Sequence, residues 1–173
     1  MSNIYAGRIW FMVEGLAVTA LGLAALVLSG LFASCANGLF ALCFILTAAT
    51  LCLRMLATIK APGLRLTLFS FLVYLVAGIV LFIEHNNSLL FTMNYLGVIF
   101  LILAVTNLTL TLTRFHTNTW GFLLISSCLS VAVGALFLMQ PADSSIWAIS
   151  ILFGGHFIVY GACQFMTGAA ADN

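Results

Sequence analysis

Six stretches of the chain consist almost entirely of apolar residues and are separated by short polar segments. Each holds 18 to 24 residues, close to the roughly 20 that an α-helix needs to cross a bilayer. The apolar residues do not alternate with polar ones, as they would in the strands of a membrane β-barrel. The pattern predicts an all-α integral membrane protein, one domain over 1–173 with six transmembrane helices. The predicted spans are Ile9–Leu28, Gly38–Leu56, Leu66–Ile83, Leu89–Leu112, Trp120–Met139 and Ile146–Thr167.

The first apolar stretch also has to be compared with a signal peptide, which can imitate a span. Ile9–Leu28 is longer than the roughly 7–15-residue core of a signal peptide, and it contains Glu14. We therefore interpret Ile9–Leu28 as a retained membrane span.

The charge content narrows the class of protein further. Only nine of the 173 residues are charged, or 5%, and the net charge is +1. Soluble domains carry roughly 25% charged residues, so a soluble globular enzyme is excluded. Nucleic-acid binding is excluded as well, because it needs clustered Lys and Arg to neutralise phosphates. The expected partners are the lipid bilayer and other membrane proteins or further copies of the chain.

The positive charges predict the orientation of the protein. All five Lys and Arg residues fall on one side of the predicted spans, and the opposite side has none. Short loops rich in Lys and Arg stay in the cytoplasm. We therefore expect both termini to be cytoplasmic. The five residues are Arg8, Arg54, Lys60, Arg65 and Arg114.

A recurring glycine indicates an internal repeat. Gly22, Gly78 and Gly134 are evenly spaced along the chain, and each is followed by an apolar run to the outer end of an odd-numbered span. We call this constant separation of 56 residues the glycine interval. Two spans per repeat would give all copies the same orientation, so the glycine interval predicts three helical hairpins as parallel repeats. Chance spacing in an apolar chain is the alternative.

Small residues also recur along the first and last spans. Residues of this kind let helix backbones approach closely in a membrane, where burying apolar surface contributes little. The stripes therefore predict helix packing, either within one molecule or between subunits. Their members are Gly15, Gly22 and Ser29 in the first span and Gly154, Gly161 and Gly168 in the last.

The arrangement of these residues resembles a known family. A Trp at the start of an odd span, a Gly-centred apolar run ending in a turn Pro, and a Gly-rich even span are similar to the HdeD-like acid-resistance membrane proteins. The third repeat carries the pattern most fully, in Trp120, Gly134, Pro141, Gly154 and Gly161. The resemblance implies a small six-span protein of the bacterial inner membrane, associated with survival in acid or other stress. It implies no catalytic residues.

Glu14 and Arg54 are the two charged residues predicted to lie inside the membrane. Glu14 lies five residues inside the first span, and Arg54 lies at a similar depth in the second. An unpaired ionisable group there costs about 2–3 kcal/mol, so such a residue is a functional candidate. We expect a Glu14–Arg54 ion pair that clamps the first hairpin. A proton relay or substrate contact, and pairing with a partner protein or lipid headgroup, are the alternatives.

Further polar residues fall within the spans. Asn107 and Gln164 lie in the cytoplasmic half, and His156, Tyr160 and Gln164 are four residues apart on one helical face. Interhelical hydrogen bonds are the simpler explanation. The alternatives are a polar path, or a pigment or metal bound through His156. Since the sequence contains no catalytic triad, phosphate-binding loop or metal-ligand spacing, we predict no catalytic residue, cofactor or metal site.

Three titratable residues are predicted in the outer turns: Glu84, His85 and Asp143. This face would meet external acid, and His titrates near pH 6.5. The cluster is a candidate acid sensor, with ordinary loop polarity as the alternative.

Three functions follow from these observations. The first is a non-enzymatic, HdeD-like protein that supports acid or stress tolerance by interacting with other membrane proteins. The second is an accessory or assembly subunit of a larger membrane complex. The third is a small transporter or channel whose path is lined by Glu14, Asn107, His156 and Gln164.

Overall fold

The computed structural model describes residues 2–31, 36–57, 64–84, 88–113, 120–139 and 146–170. These residues form six α-helices and contain no strand, and all six helices are long and apolar enough to cross a membrane. The predicted fold class is therefore confirmed, and the chain has the architecture of a multi-pass membrane protein. The helices are α1 (Ser2–Leu31), α2 (Ala36–Ala57), α3 (Leu64–Ile83), α4 (Leu89–Thr113), α5 (Trp120–Met139) and α6 (Ile146–Ala169).

The main helix contacts run in a closed ring. Each helix packs on its neighbours in the sequence, and α1 closes the ring by packing on α6. The most extensive pairs are α1 with α6, α4 with α5, and α2 with α3, whereas α1–α2, α3–α4 and α5–α6 touch less. The helices joined by the turns that the charges predict to lie outside are thus the more loosely packed pairs.

Glycines explain why the tightest pairs come so close. A methyl group added at Gly22 would lie 2.8 Å from the backbone oxygen of Gly154 across the α1–α6 contact. At Gly134 it would lie 3.1 Å from the oxygen of Gly97 on α4, and at Gly78 it would lie 3.0 Å from the oxygen of Ala41 on α2. The three evenly spaced glycines therefore each allow close packing on an even-numbered helix.

The glycine interval also appears in the burial of the odd-numbered helices. Four buried positions in each of them are separated by this same interval from their counterparts in the next odd-numbered helix. Three structurally similar hairpins would give this pattern, while the repeat itself stays a prediction. The buried positions are Glu14, Val18, Gly22 and Ala25; Ser70, Tyr74, Gly78 and Leu81; and Ser126, Ser130, Gly134 and Phe137.

Large aromatic side chains from the even-numbered helices fill the centre of the ring. The ring of Phe44 on α2 has its centroid 6.3 Å from that of Phe100 on α4, 5.3 Å from Phe153 and 5.7 Å from Phe157 on α6. All four side chains are fully buried. Buried residues make up 44, 50 and 56% of an 18-residue apolar stretch within α2, α4 and α6, against 28, 28 and 39% within α1, α3 and α5. The even-numbered helices are therefore the inner ones.

The outward surface is apolar, as a lipid-facing surface must be. Leu16, Val27, Leu56, Phe82 and Leu112 are each more than 60% exposed. Of the five positive charges, Lys60 and Arg114 lie outside the described residues, as does Pro141 of the family pattern. The orientation of the chain therefore stays a prediction from the charges.

Candidate functional site

The side chains of Glu14 and Arg54 meet in the interior of the bundle. Arg54 Nη1 donates a hydrogen bond to Glu14 Oε2 at 2.6 Å, and both side chains are buried. Arg54 lies in the last turn of α2, where the helix dipole favours a positive charge. Of the alternatives left open by the sequence, this geometry favours an ion pair between α1 and α2.

An aromatic ring covers the Arg54 guanidinium. The central carbon of the guanidinium lies 4.6 Å from the centroid of the Phe11 ring. Phe11 is one helical turn before Glu14 on α1. A cation over a ring face is attracted by the quadrupole of the ring, and the attraction strengthens away from water. Arg54 is thus held by both a carboxylate and a ring from the same helix.

The carboxylate of Glu14 is only partly satisfied. Its Oε2 accepts from Arg54, whereas its Oε1 is buried and has no hydrogen-bond partner among the described residues. A buried acceptor without a donor costs about 1–3 kcal/mol. The pair therefore retains a capacity to accept a further hydrogen bond.

A second polar group lies on α6 and α3. Gln164 Nε2 donates a hydrogen bond to Tyr160 Oη at 2.9 Å, and the Tyr160 hydroxyl also hydrogen-bonds to Tyr74 on α3. Gln164 Oε1 is buried and has no partner among the described residues. Two of the three residues predicted to share a face of α6 are thus hydrogen-bonded to each other.

His156, the third member of that face, lies among aromatic rings. The centroid of its ring lies 4.5 Å from that of the Phe100 ring, and the two rings are nearly perpendicular. The centroid of the Tyr160 ring lies 6.2 Å away, and that ring is nearly parallel to the His156 ring. Neither Nδ1 nor Nε2 has a hydrogen-bond partner among the described residues, although the side chain is only 2% exposed. The structure therefore places His156 in the aromatic centre and not in the hydrogen-bonded group.

A small cavity adjoins both the Glu14–Arg54 pair and the hydrogen-bonded group of Gln164. It lies at the end of the bundle where α2 ends. Its volume is about 20 Å³, and its wall contains one residue from each of the six helices. The cavity therefore lies on the axis of the ring. The lining residues are Phe11, Arg54, Thr67, Leu110, Leu123 and Gln164.

Other predicted residues lie elsewhere. Asn107 is buried on α4 but is not part of the cavity wall. Glu84 is exposed just beyond the end of α3, where its backbone N–H donates to the carbonyl of Val80 at 2.9 Å. His85 and Asp143 lie outside the described residues, so the outer acid-sensing cluster stays a prediction.

The packing glycines form contacts within one chain. Gly15 lies against the backbone of Gly161, and Gly22 against that of Gly154, both across α1–α6. Of the two roles that the sequence left open for these stripes, the structure shows the packing within one molecule.

Metal-binding side chains are not brought together in the described part of the chain. Among the described residues, no group of three or more His, Cys, Asp or Glu side chains lies close enough to hold a metal ion.

Sequence reasoning missed Phe11, Thr67, Leu110, Leu123 and Tyr74 as components of the site. A signal for the first four is present in the sequence, because the glycine interval also separates Phe11, Thr67 and Leu123 from one another, and Arg54 from Leu110. Applying the glycine interval to every position would have placed these residues at one level of the ring. No comparable signal marks Tyr74, whose counterparts are Val18 and Ser130.

Comparison with protein-family models, with curated proteins and with solved structures found no match to this chain. The likeness to HdeD-like proteins therefore depends on the residues quoted above.

Proposed function

We propose that the protein is a non-enzymatic, HdeD-like protein of the bacterial inner membrane that supports acid or stress tolerance by interacting with other membrane proteins. The observation that carries this proposal is the packed centre of the ring. Phe44, Phe100, Phe153 and Phe157 occupy the position where a pore would run. Protein interiors filled in this way are close-packed and resist deformation. A packed body is suited to holding partners rather than conducting solutes.

The ion pair fits this role as an internal clamp. Glu14 and Arg54 join α1 to α2, a pair of helices that packs less extensively than α1 and α6. The glycine interval places Ser70 and Ser126 at the positions that correspond to Glu14, and Leu110 at the position that corresponds to Arg54. The charged clamp is therefore a feature of the first hairpin alone.

Survival of bacteria in acid tests the proposal. A bacterial strain that lacks the protein should survive acid shock less well than the same strain carrying the gene on a plasmid. The Glu14→Gln variant should restore less survival than Arg65→Gln, a control at an exposed arginine. Equal survival with and without the protein, in acid and in other stresses, would overturn the proposal.

Purification in mild detergent separates the stand-alone protein from an accessory subunit. Under our proposal the protein is recovered without a partner in fixed stoichiometry from unstressed cells. Constant co-purification with the subunits of one larger complex would instead establish the accessory or assembly role.

The candidate acid sensor has its own test. If Glu84, His85 and Asp143 report external pH, replacing them with Gln, Gln and Asn should reduce acid survival while leaving the amount of protein in the membrane unchanged. Unchanged survival would assign these residues to ordinary loop polarity.

A small transporter or channel is the third candidate, and one observation favours it. The axial cavity contains Arg54 and Gln164 and has a wall from all six helices, as the inner end of a path would. Proton or ion flux into liposomes that disappears in Glu14→Gln but persists in Arg65→Gln would support this function. Flux that is absent, or equal in both variants, would exclude Glu14 from a path.

A further inference from the structure

The cavity on the axis of the ring has a mixed wall. Phe11, Leu110 and Leu123 contribute apolar surface, while Arg54, Thr67 and Gln164 contribute polar groups. A purely apolar cavity of this size would stay dry, whereas a polar one takes up water that satisfies its walls. The chemistry of the wall therefore decides what the cavity holds.

Gln164 points to a hydrogen-bond donor in this cavity. Its side chain is 5% exposed and lines the cavity, and its Oε1 has no partner among the described residues. Its Nε2 is already engaged by Tyr160. The unmatched oxygen therefore requires a ligand that donates a hydrogen bond.

Charge, size and the need for a hydrogen-bond donor restrict the ligand to a small neutral molecule. The Glu14–Arg54 pair is neutral as a whole, but Arg54 is the member of the pair that lines the cavity. A cation there would meet like charge at short range. A volume of about 20 Å³ exceeds the roughly 10–15 Å³ that one water molecule needs.

We propose that the axial cavity is a binding site for one ordered water molecule. The water accepts a hydrogen bond from the Arg54 guanidinium and donates to Gln164 Oε1 and to the Thr67 hydroxyl. Three partners are the usual number for a buried water. The water thereby joins the Glu14–Arg54 pair to the Gln164–Tyr160–Tyr74 group, so that one polar network links α1, α2, α3 and α6. This inference does not depend on the proposed function.

Solid-state NMR of the full chain in liposomes tests the site directly. After selective excitation of water, magnetisation should reach the side-chain amide of Gln164. Thr67→Val, which keeps the size of the residue but removes a water partner, should reduce this transfer. Leu123→Phe, which extends a larger ring into the cavity, should abolish it while the Gln164–Tyr160 hydrogen bond remains.

Thr111→Val is the matched control. Thr111 is a buried threonine at the same end of the bundle, and its hydroxyl donates to the carbonyl of Asn107 on its own helix at 2.8 Å. Transfer to Gln164 should be unchanged in this variant. Absence of transfer in the wild-type protein, or transfer that persists at full strength in Thr67→Val, would overturn the proposal even if Leu123→Phe did not fold.

Discussion

At the scale of single residues, the buried pair of Glu14 and Arg54 depends on both partners being present. Taking two charges out of water costs several kcal/mol for each ion, and their attraction offsets this cost only when they meet directly. Here they meet at 2.6 Å with Phe11 over the guanidinium. Loss of either partner leaves a charge in an apolar interior.

A double-mutant cycle measures this dependence. Glu14→Gln leaves Arg54 without its carboxylate, and Arg54→Met leaves Glu14 without its cation, so each should lower the free energy of unfolding by about 3 kcal/mol or more. The double variant has no buried charge and should recover much of the loss. Thermal unfolding in detergent gives the three values.

The control for this cycle is Arg65→Gln, at an exposed arginine near the start of α3, which should change the unfolding temperature little. Additive effects of Glu14→Gln and Arg54→Met would contradict a direct pair.

His156 gives a second prediction at this scale. Both ring nitrogens are buried and unmatched among the described residues, and such polar atoms cost about 1–3 kcal/mol. His156→Phe removes them and keeps a ring against Phe100, so the variant should unfold at the same temperature as the wild type or above it. His156→Ala, which leaves a void, should unfold lower.

The same variants test the alternative that His156 binds a pigment or metal. In that case His156→Phe would lower the unfolding temperature, and the purified wild-type protein would show visible absorption or a stoichiometric metal that the variant lacks.

At the scale of helices, the glycines act by what stands opposite them and not by their own flexibility. Gly154 and Gly155 are neighbours on α6, yet a methyl group on the first would lie 2.5 Å from Leu26 Cγ and 2.8 Å from the oxygen of Gly22. A methyl group on the second would meet nothing within 4 Å. One faces α1 and the other does not.

Gly154→Ala and Gly155→Ala should therefore have opposite effects. The first forces α1 and α6 apart and should cost roughly 1–3 kcal/mol of stability, as overpacking does. The second replaces a helix-interior glycine by alanine without a clash, which should gain up to about 1 kcal/mol from helix propensity. Unfolding temperatures of the two variants, measured side by side, make the comparison. Equal destabilisation by both would show that the α1–α6 contact is not the cause.

At the scale of the whole molecule, small and large residues occupy different parts of the helix ring. Glycines let neighbouring helices approach at the ring contacts, while aromatic side chains fill the wider space where α2, α4 and α6 face each other. Both kinds of contact are needed, because a membrane-embedded bundle gains stability from packing more than from burying apolar surface.

Orientation in the membrane is the prediction that belongs to this scale. With both termini cytoplasmic, green fluorescent protein fused to the C-terminus should fluoresce in bacterial cells. Alkaline phosphatase fused after Glu84 should be active, because the turn beyond α3 would lie outside. The same enzyme fused after Lys60 is the control and should be inactive. The reverse pattern would contradict the orientation inferred from the positive charges.

The class of the protein and the number of its membrane-spanning helices could be predicted from the amino acids alone. Continuous apolar stretches of about 20 residues are stable in lipid as helices, since every backbone polar group is then satisfied within its own segment. The even spacing of Gly22, Gly78 and Gly134 also identified positions that lie at helix contacts. The shared depth of Glu14 and Arg54 on adjacent helices was enough to suggest their pairing.

Only the tertiary structure decides which helices touch and what lies between them. Helices that are apolar all round carry little directional signal, so the closure of α1 on α6 and the inner position of α2, α4 and α6 could not be read from periodicity. The aromatic centre, the isolation of His156 and the axial cavity all follow from that arrangement. Each depends on side chains from several helices meeting at one level, which a linear sequence does not specify.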